Sequence, residues 1–143
     1  MLRAGIIGCG GIAERRHAPV LNMLKGVTLA ALTDTSTDRR AKLGDLYHVP
    51  EDDRHTNVEK MLAHAELDLV HICTPHDLHV EQAIAALQAG AHVLLEKPIA
   101  TTLEEADRIM AAAIAANRKV AISHNQLWSA GHRAVRRVVE AGD

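Results

Sequence analysis

The chain has 143 residues, 48% of them hydrophobic, and 16 Lys+Arg set against 18 Asp+Glu leave a formal charge of −2. A single domain of this size buries about 70% of its unfolded chain's surface; the composition excludes a disordered chain, a bulk electrostatic pull toward nucleic acid or anionic membrane, and base stacking on aromatic platforms, since only Tyr47 and Trp128 are aromatic. No run of about 20 apolar residues is present, the N-terminus lacks a signal-peptide pattern, and the two cysteines, Cys9 and Cys73, suit a reducing compartment, so the expectation is a soluble cytoplasmic domain with no nucleic-acid and no membrane partner.

Residues 3–7 are too few for a helix and read as a first strand closed by a glycine cluster. Residues 11–24 read as a helix that Pro19 is expected to kink or end early. Val27–Thr33 reads as a second strand, and residues 37–47 as a helix with Leu43, Leu46 and Tyr47 on one face. Residues 48–56 are polar, contain Pro50, and predict a loop with at most a short edge strand. Val58, Met61, Leu62 and Ala65 mark a short amphipathic helix by their i, i+3, i+4 spacing. Residues 67–73 form a strand stopped at Thr74-Pro75, and Val80, Ala83, Ile84 and Leu87 line a helix that Gly90 caps. Residues 93–95 form a strand ending at Glu96-Lys97-Pro98. Leu103, Ala106, Ile109, Met110, Ala113 and Ile114 line a longer helix, opened by Thr101 or Thr102 with Glu104 and Glu105 in its first turn. Val120–Ile122 is the last strand. Strands alternating with helices require right-handed crossovers and a parallel sheet covered on both faces, a doubly wound α/β domain with strand order 3-2-1-4-5-6.

Gly8-Cys9-Gly10-Gly11-Ile12-Ala13 joins the first strand to the first helix and fits G-x-G-x-x-G/A. Gly8 permits the tight turn, Gly10 lets a pyrophosphate reach the backbone, and Ala13 lets helix and strand pack closely. The unpaired N–H groups at the helix start then face the phosphates. Asp34 ends the second strand, 26 residues after Gly8, where a carboxylate can accept hydrogen bonds from an adenosine ribose; as part of Asp34-Thr35-Ser36-Thr37 it also reads as a helix cap or turn residue. Its charge repels a 2′-phosphate, so NAD is the expected cofactor, with NADP possible. Arg39 and Arg40 read as solvated on the helix that follows, and Cys9 as a small residue filling the turn.

In a doubly wound sheet the ligand lies beyond the carboxyl ends of the strands, at the switch point. Residues 8–13, 74–79, 96–98 and 124–128 all follow strand ends and converge on that edge. The patterns Gly8-x-Gly10-x-x-Ala13, Thr74-Pro75-x-x-x-His79 and Ala89-Gly90-x-His92-Val93-Leu94-x-Glu96-Lys97-Pro98 together resemble the Gfo/Idh/MocA oxidoreductases over nearly the whole chain. The resemblance implies a Rossmann fold and hydride transfer between NAD or NADP and a hydroxyl or carbonyl carbon of a sugar, inositol or related polyol. It implies Lys97 as the catalytic residue, near the nicotinamide and bonded to the reacting oxygen, with Glu96 positioning it. An ammonium there stabilises the negative charge that develops on oxygen. The cofactor-binding residues expected on these grounds are Gly8, Gly10, Gly11, Ile12, Ala13, Asp34, Thr74, Pro75, His79, Glu96 and Lys97. Two positions depart from the family pattern: His76 stands where Asn is frequent, and Leu127-Trp128-Ser129-Ala130 replaces Arg-aromatic-x-Pro.

The resemblance also implies a second, C-terminal α/β domain that supplies the substrate pocket and a general acid/base. Residues 1–123 are expected to be the dinucleotide-binding domain, and 124–143 a connecting segment and helix toward that domain, which this chain lacks. Val135, Val138 and Val139 form an apolar stripe on that helix, with Trp128 just before it, and a homo-oligomer is expected. The alternative reading is a non-catalytic dinucleotide-binding regulatory module, which the retained Lys97 argues against. Cys73-x-x-His76-x-x-His79 has metal-like spacing, but a strand-to-helix transition points such side chains apart, so no metal is expected.

Overall fold

The computed structural model describes residues 1–142; Asp143, the last residue of the expected connecting segment, lies outside the described residues. The strands are β1 (Leu2–Ile7), β2 (Val27–Thr33), β3 (Arg54–His55), β4 (Leu69–Ile72), β5 (His92–Leu95) and β6 (Val120–Ile122). They form one parallel sheet in the order β3-β2-β1-β4-β5-β6, the order that the alternation predicts. The helices are α1 (Ala18–Met23), α2 (Thr37–Leu46), α3 (Val58–His64), α4 (His79–Gln88), α5 (Leu103–Ala115) and α6 (Ala130–Ala141). This is the Rossmann architecture. None of these helices is long and apolar enough to cross a membrane.

Period-two alternation along the buried strands divides the core in two. Ile7, Val70, Ile72, Val93 and Leu95 pack with Met61, Ala83, Leu87 and Ile109 on the α3–α5 side. Ala4, Ile6, Leu29 and Leu32 pack with Ala13, Leu21 and Leu43 on the α1–α2 side. Thus His71, between Val70 and Ile72 in β4, faces the α1 side although its strand is otherwise apolar. That placement matters below.

Several local expectations need correction. Pro19 neither ends the first helix nor breaks it: the helical run from residue 11 continues to Met23. Instead Ala13–His17 widens into a π-turn, with the Ala18 N–H donating to the Ala13 carbonyl. A proline ring clashes with the carbonyl four residues back and offers it no N–H, and the widened turn lies just before Pro19. Leu46 points to solvent while Arg40 is buried, so the inner face of α2 is Arg40, Leu43 and Gly44. On α5 only Ile109 and Ala113 are buried; Leu103 and Ile114 are about four-fifths exposed, 81% and 77%. β4 spans Leu69–Ile72, shorter at both ends than expected: at its start the Asp68 carboxylate takes the Arg3 N–H that a strand carbonyl would otherwise accept. On α6, Val135, Val138 and Val139 are all exposed, as is Trp128 before it.

Candidate dinucleotide and hydride-transfer site

β1 must turn sharply to enter its helix, and Gly8 makes the turn with φ +91°. A Cβ there would lie 2.9 Å from the Cys73 carbonyl carbon and from Thr74 Cγ2, so only glycine lets the first loop lie against the loop after β4. At Gly10 a Cβ would meet nothing within 4 Å, so backbone faces open space there. Such an open backbone beside a helix start suits an approaching pyrophosphate. Gly11 lies under the Arg15 guanidinium.

Asp34 braces this loop. Its Oδ2 accepts the Cys9 N–H at 2.8 Å and its Oδ1 accepts the Ser36 N–H at 2.8 Å. The turn role and the crevice position therefore coexist in one carboxylate, while Ser36 is the cap of α2. Arg40, expected in solvent, instead donates from Nη1 to the Asp34 carbonyl and from Nη2 to Thr37 Oγ1 at 3.3 Å. Cys9 is buried, donates weakly to the Thr33 carbonyl, and burial together with the Asp34 charge pushes its thiol up to about 12. A thiol held protonated is a space-filling residue rather than a nucleophile.

A cleft of about 310 Å³ gathers Gly8, Gly10, Asp34, Thr74 and Pro75, together with Arg39, Leu78 and Gln82. Gly11 and Arg39 line an adjoining hollow on the other side of Gly10. Arg39 is therefore at the crevice and not simply solvated on α2. Ile12 is half-buried and packs against the α1-side core, and Ala13 is fully buried there, so both shape the loop from behind. Thr74 Oγ1 donates to Gln82 Oε1 at 2.6 Å.

His79, expected beside a cofactor, lies behind the loop that carries Thr74. It is fully buried, with Nδ1 2.8 Å from the Pro98 carbonyl and Nε2 3.0 Å from the Thr74 carbonyl. Each ring nitrogen faces a carbonyl oxygen, and the one that carries the hydrogen donates to its carbonyl, so His79 packs between the loop after β4 and the loop after β5. Cys73 belongs to the α1-side core, whereas the exposed His76 ring meets the His79 ring edge-to-face with centroids 6.1 Å apart.

Lys97 is exposed at the carboxyl end of β5, two strands on from β1, roughly 10 Å at ordinary strand spacing. Glu96, by contrast, is buried. Its Oε1 lies 2.9 Å from His17 Nε2, and its Oε2 accepts the Lys97 N–H at 3.2 Å. His17 Nδ1 lies 3.0 Å from His71 Nδ1. Burial pushes the Glu96 carboxyl up, but hydrogen bonds from His17 and Ser123, the nearby imidazole charge and the Lys97 N–H together hold it below its usual value. Burial, reinforced by His17, pushes the His71 imidazole down to about 4. Neither histidine was singled out from sequence as part of this site. The available signal was a histidine inside a buried apolar strand, which must find a partner.

The model of an oxidoreductase family with an NAD-binding Rossmann fold, Gfo/Idh/MocA, matches residues 2–124. The chain belongs to this family. A 1,5-anhydro-D-fructose reductase from Ensifer adhaerens is 33% identical over 99% of the chain and 42% of the relative. An inositol 2-dehydrogenase from Paracoccus denitrificans is 31% identical over 96% of the chain and 41% of its own length. Among solved structures, a 3-ketoreductase from Actinomadura kijaniata in complex with NADP and TDP-benzene superposes with a TM-score of 0.88 at 29% identity, covering 99% of this chain and 42% of that one. This Gfo/Idh/MocA chain thus spans about two fifths of the length of the relatives it matches.

Proposed function

We propose that the chain is the cofactor-binding part of an NAD(P)-dependent oxidoreductase acting on a hydroxyl or carbonyl carbon of a sugar, inositol or related polyol. The observation that carries this reading is the open backbone at Gly10 in one cleft with Asp34 and Thr74, with an exposed ammonium at the next strand end but one. The 1,5-anhydro-D-fructose and inositol substrates named for two relatives support the polyol class. When bound, the nicotinamide supplies the hydride acceptor or donor. Gly10 and Gly11 hold the pyrophosphate with backbone N–H groups. Asp34, still carrying free lone pairs beyond its two backbone bonds, holds the ribose. Thr74 and Pro75 wall the crevice opposite the glycine loop. Lys97 binds the substrate oxygen and stabilises the charge that develops on it as the carbon–hydrogen bond is made or broken. Residues 124–141 lead toward the substrate-bearing part of the whole protein, with the Trp128 and valine stripe as the face it packs against.

The test has two parts. Calorimetric titration with NAD and NADP measures binding to the cleft, and no binding of either overturns the reading. In the full natural chain, Lys97→Met is expected to lower turnover of the sugar or inositol substrate at least about 10²-fold, with cofactor affinity little changed. Weakened cofactor binding with near-normal turnover would make Lys97 a cofactor anchor instead.

A further inference from the structure

His17, His71 and Glu96 form a buried polar chain on the α1 side of the sheet, behind the strand end that carries Lys97. All three side chains are about nineteen-twentieths buried, with 6%, 5% and 6% exposure. They come from three separate elements: His17 from the π-turn, His71 from the middle of β4, and Glu96 from the end of β5. No local turn chemistry explains the meeting. The partners are 54 and 79 residues apart in sequence.

The hydrogen bookkeeping is restrictive. An ionised carboxylate only accepts, so His17 Nε2 must carry the hydrogen it points at Glu96 Oε1. A neutral His17 then has only a lone pair at Nδ1, and His71 must donate from its own Nδ1. A cationic His17 reverses that second bond and leaves the first unchanged. In both states one imidazole nitrogen faces Glu96 as a donor, and the far carboxylate oxygen is left to accept the Lys97 N–H. The ring itself cannot swing, because its other nitrogen is engaged. His17 and His71 also border a separate cleft of about 450 Å³ with Arg16, Leu94, Ser123 and Trp128, on the sheet face away from α3–α5.

We infer that His17, held by His71, is a positioning residue for the hydride-transfer site: it fixes the Glu96 carboxylate, which fixes the Lys97 backbone and so the point from which the ammonium enters the crevice. This rests on the reading of Lys97 given above. His17 lies outside the cleft that gathers Gly10, Asp34 and Thr74. Its action passes entirely through Glu96, which explains why a residue at the back of the sheet carries polar chemistry at all, where leucine or methionine would pack without a desolvation cost.

The test uses two amides of different length in the full natural chain, labelled with 15N histidine and lysine. In His17→Gln the side-chain NH₂ reaches the place of Nε2 and keeps the bond to Glu96. In His17→Asn it reaches only the place of Nδ1 and keeps the His71 side alone. The expected result is exchange of the Lys97 amide hydrogen within about threefold of the parent in His17→Gln and at least about tenfold faster in His17→Asn. On substrate, kcat falls in His17→Asn and recovers in His17→Gln, while NAD(P) affinity is the same in both. Equal Lys97 exchange in the two variants overturns the inference. If neither variant folds, the parent spectrum decides: His17 Nε2 bearing a proton supports the chain of bonds described, and a bare Nε2 overturns it. The amide and imidazole signals need no substrate, so absence of dehydrogenase turnover would remove the proposed function while leaving this measurement to stand or fall separately.

Discussion

Both oxygens of Asp34 accept backbone N–H groups, one from the glycine loop and one from the turn into α2. An asparagine keeps only one acceptor oxygen and turns an NH₂ toward the other N–H. Asp34→Asn is therefore expected to destabilise the fold by about 1–2 kcal/mol in urea denaturation and, by removing the charge that repels a 2′-phosphate, to raise NADP affinity relative to NAD about tenfold or more. An unchanged ratio in paired titrations would restrict Asp34 to bracing the loop. The two glycines should separate just as cleanly. Gly8→Ala places a Cβ 2.9 Å from backbone at φ +91° and is expected to cost about 2 kcal/mol or more of stability. Gly10→Ala meets nothing within 4 Å, so its melting temperature should match the parent while dinucleotide binding weakens at least about tenfold. A reversed pattern would mean that the roles assigned to the two positions are exchanged.

At the scale of elements, α5 shows what its own sequence can do. Thr102 accepts the Glu105 N–H at 3.2 Å, and Glu105 Oε2 accepts the Thr102 N–H at 3.2 Å and bonds Thr101 through its N–H and hydroxyl. Thr102→Ala should cost about 1 kcal/mol, read as a shift in the urea midpoint with unchanged slope. Resolved by the structure to Thr102 and Glu105, that cap was legible as Thr101 or Thr102 followed by Glu104 and Glu105 because it is local. So were the strand order and the glycine turn, since period-two runs, a G-x-G and an alternating pattern need no distant partner. Helix faces were legible only in part: α5 reads as apolar at six positions, yet of these just Ile109 and Ala113 are buried. What lay out of reach was long-range. Arg40 and Arg39 look alike in sequence, and only the fold sends one under Asp34 and the other to the crevice rim. His79 reads as a loop ligand until the carbonyls of Thr74 and Pro98 close on it.

For the molecule as a whole, the buried chain of His71, His17 and Glu96 gives stability an acid-side slope. His71 titrates near 4 when folded and near 6.5 when unfolded, so between these values the unfolded chain binds more protons. Stability therefore rises with pH across that window and is lost as pH falls through it. The loss is on the order of 3 kcal/mol. Glu96 has the same sign, because its folded carboxyl lies below its ordinary 4.5, and it extends the loss to still lower pH. Thermal or urea midpoints measured from pH 7 to pH 4 should fall steadily in the parent. In His71→Phe the slope between pH 6.5 and pH 4.5 should flatten, and an unchanged slope would show that other groups carry it.

A π-turn is an α-helix with one residue too many. Removing one residue from Ala13–His17 would return the segment to regular winding and carry His17 about 100° around the helix axis, off Glu96 and off His71. The distance along the chain from the glycine turn to this histidine is thus itself a specification, as strict as the identity of either end. Aligned against a relative with a plain α-helix here, the chain would need a one-residue gap inside a helix, where gaps are least expected. That gap would mark which chains can bring an imidazole to the back of the strand that ends at Glu96-Lys97.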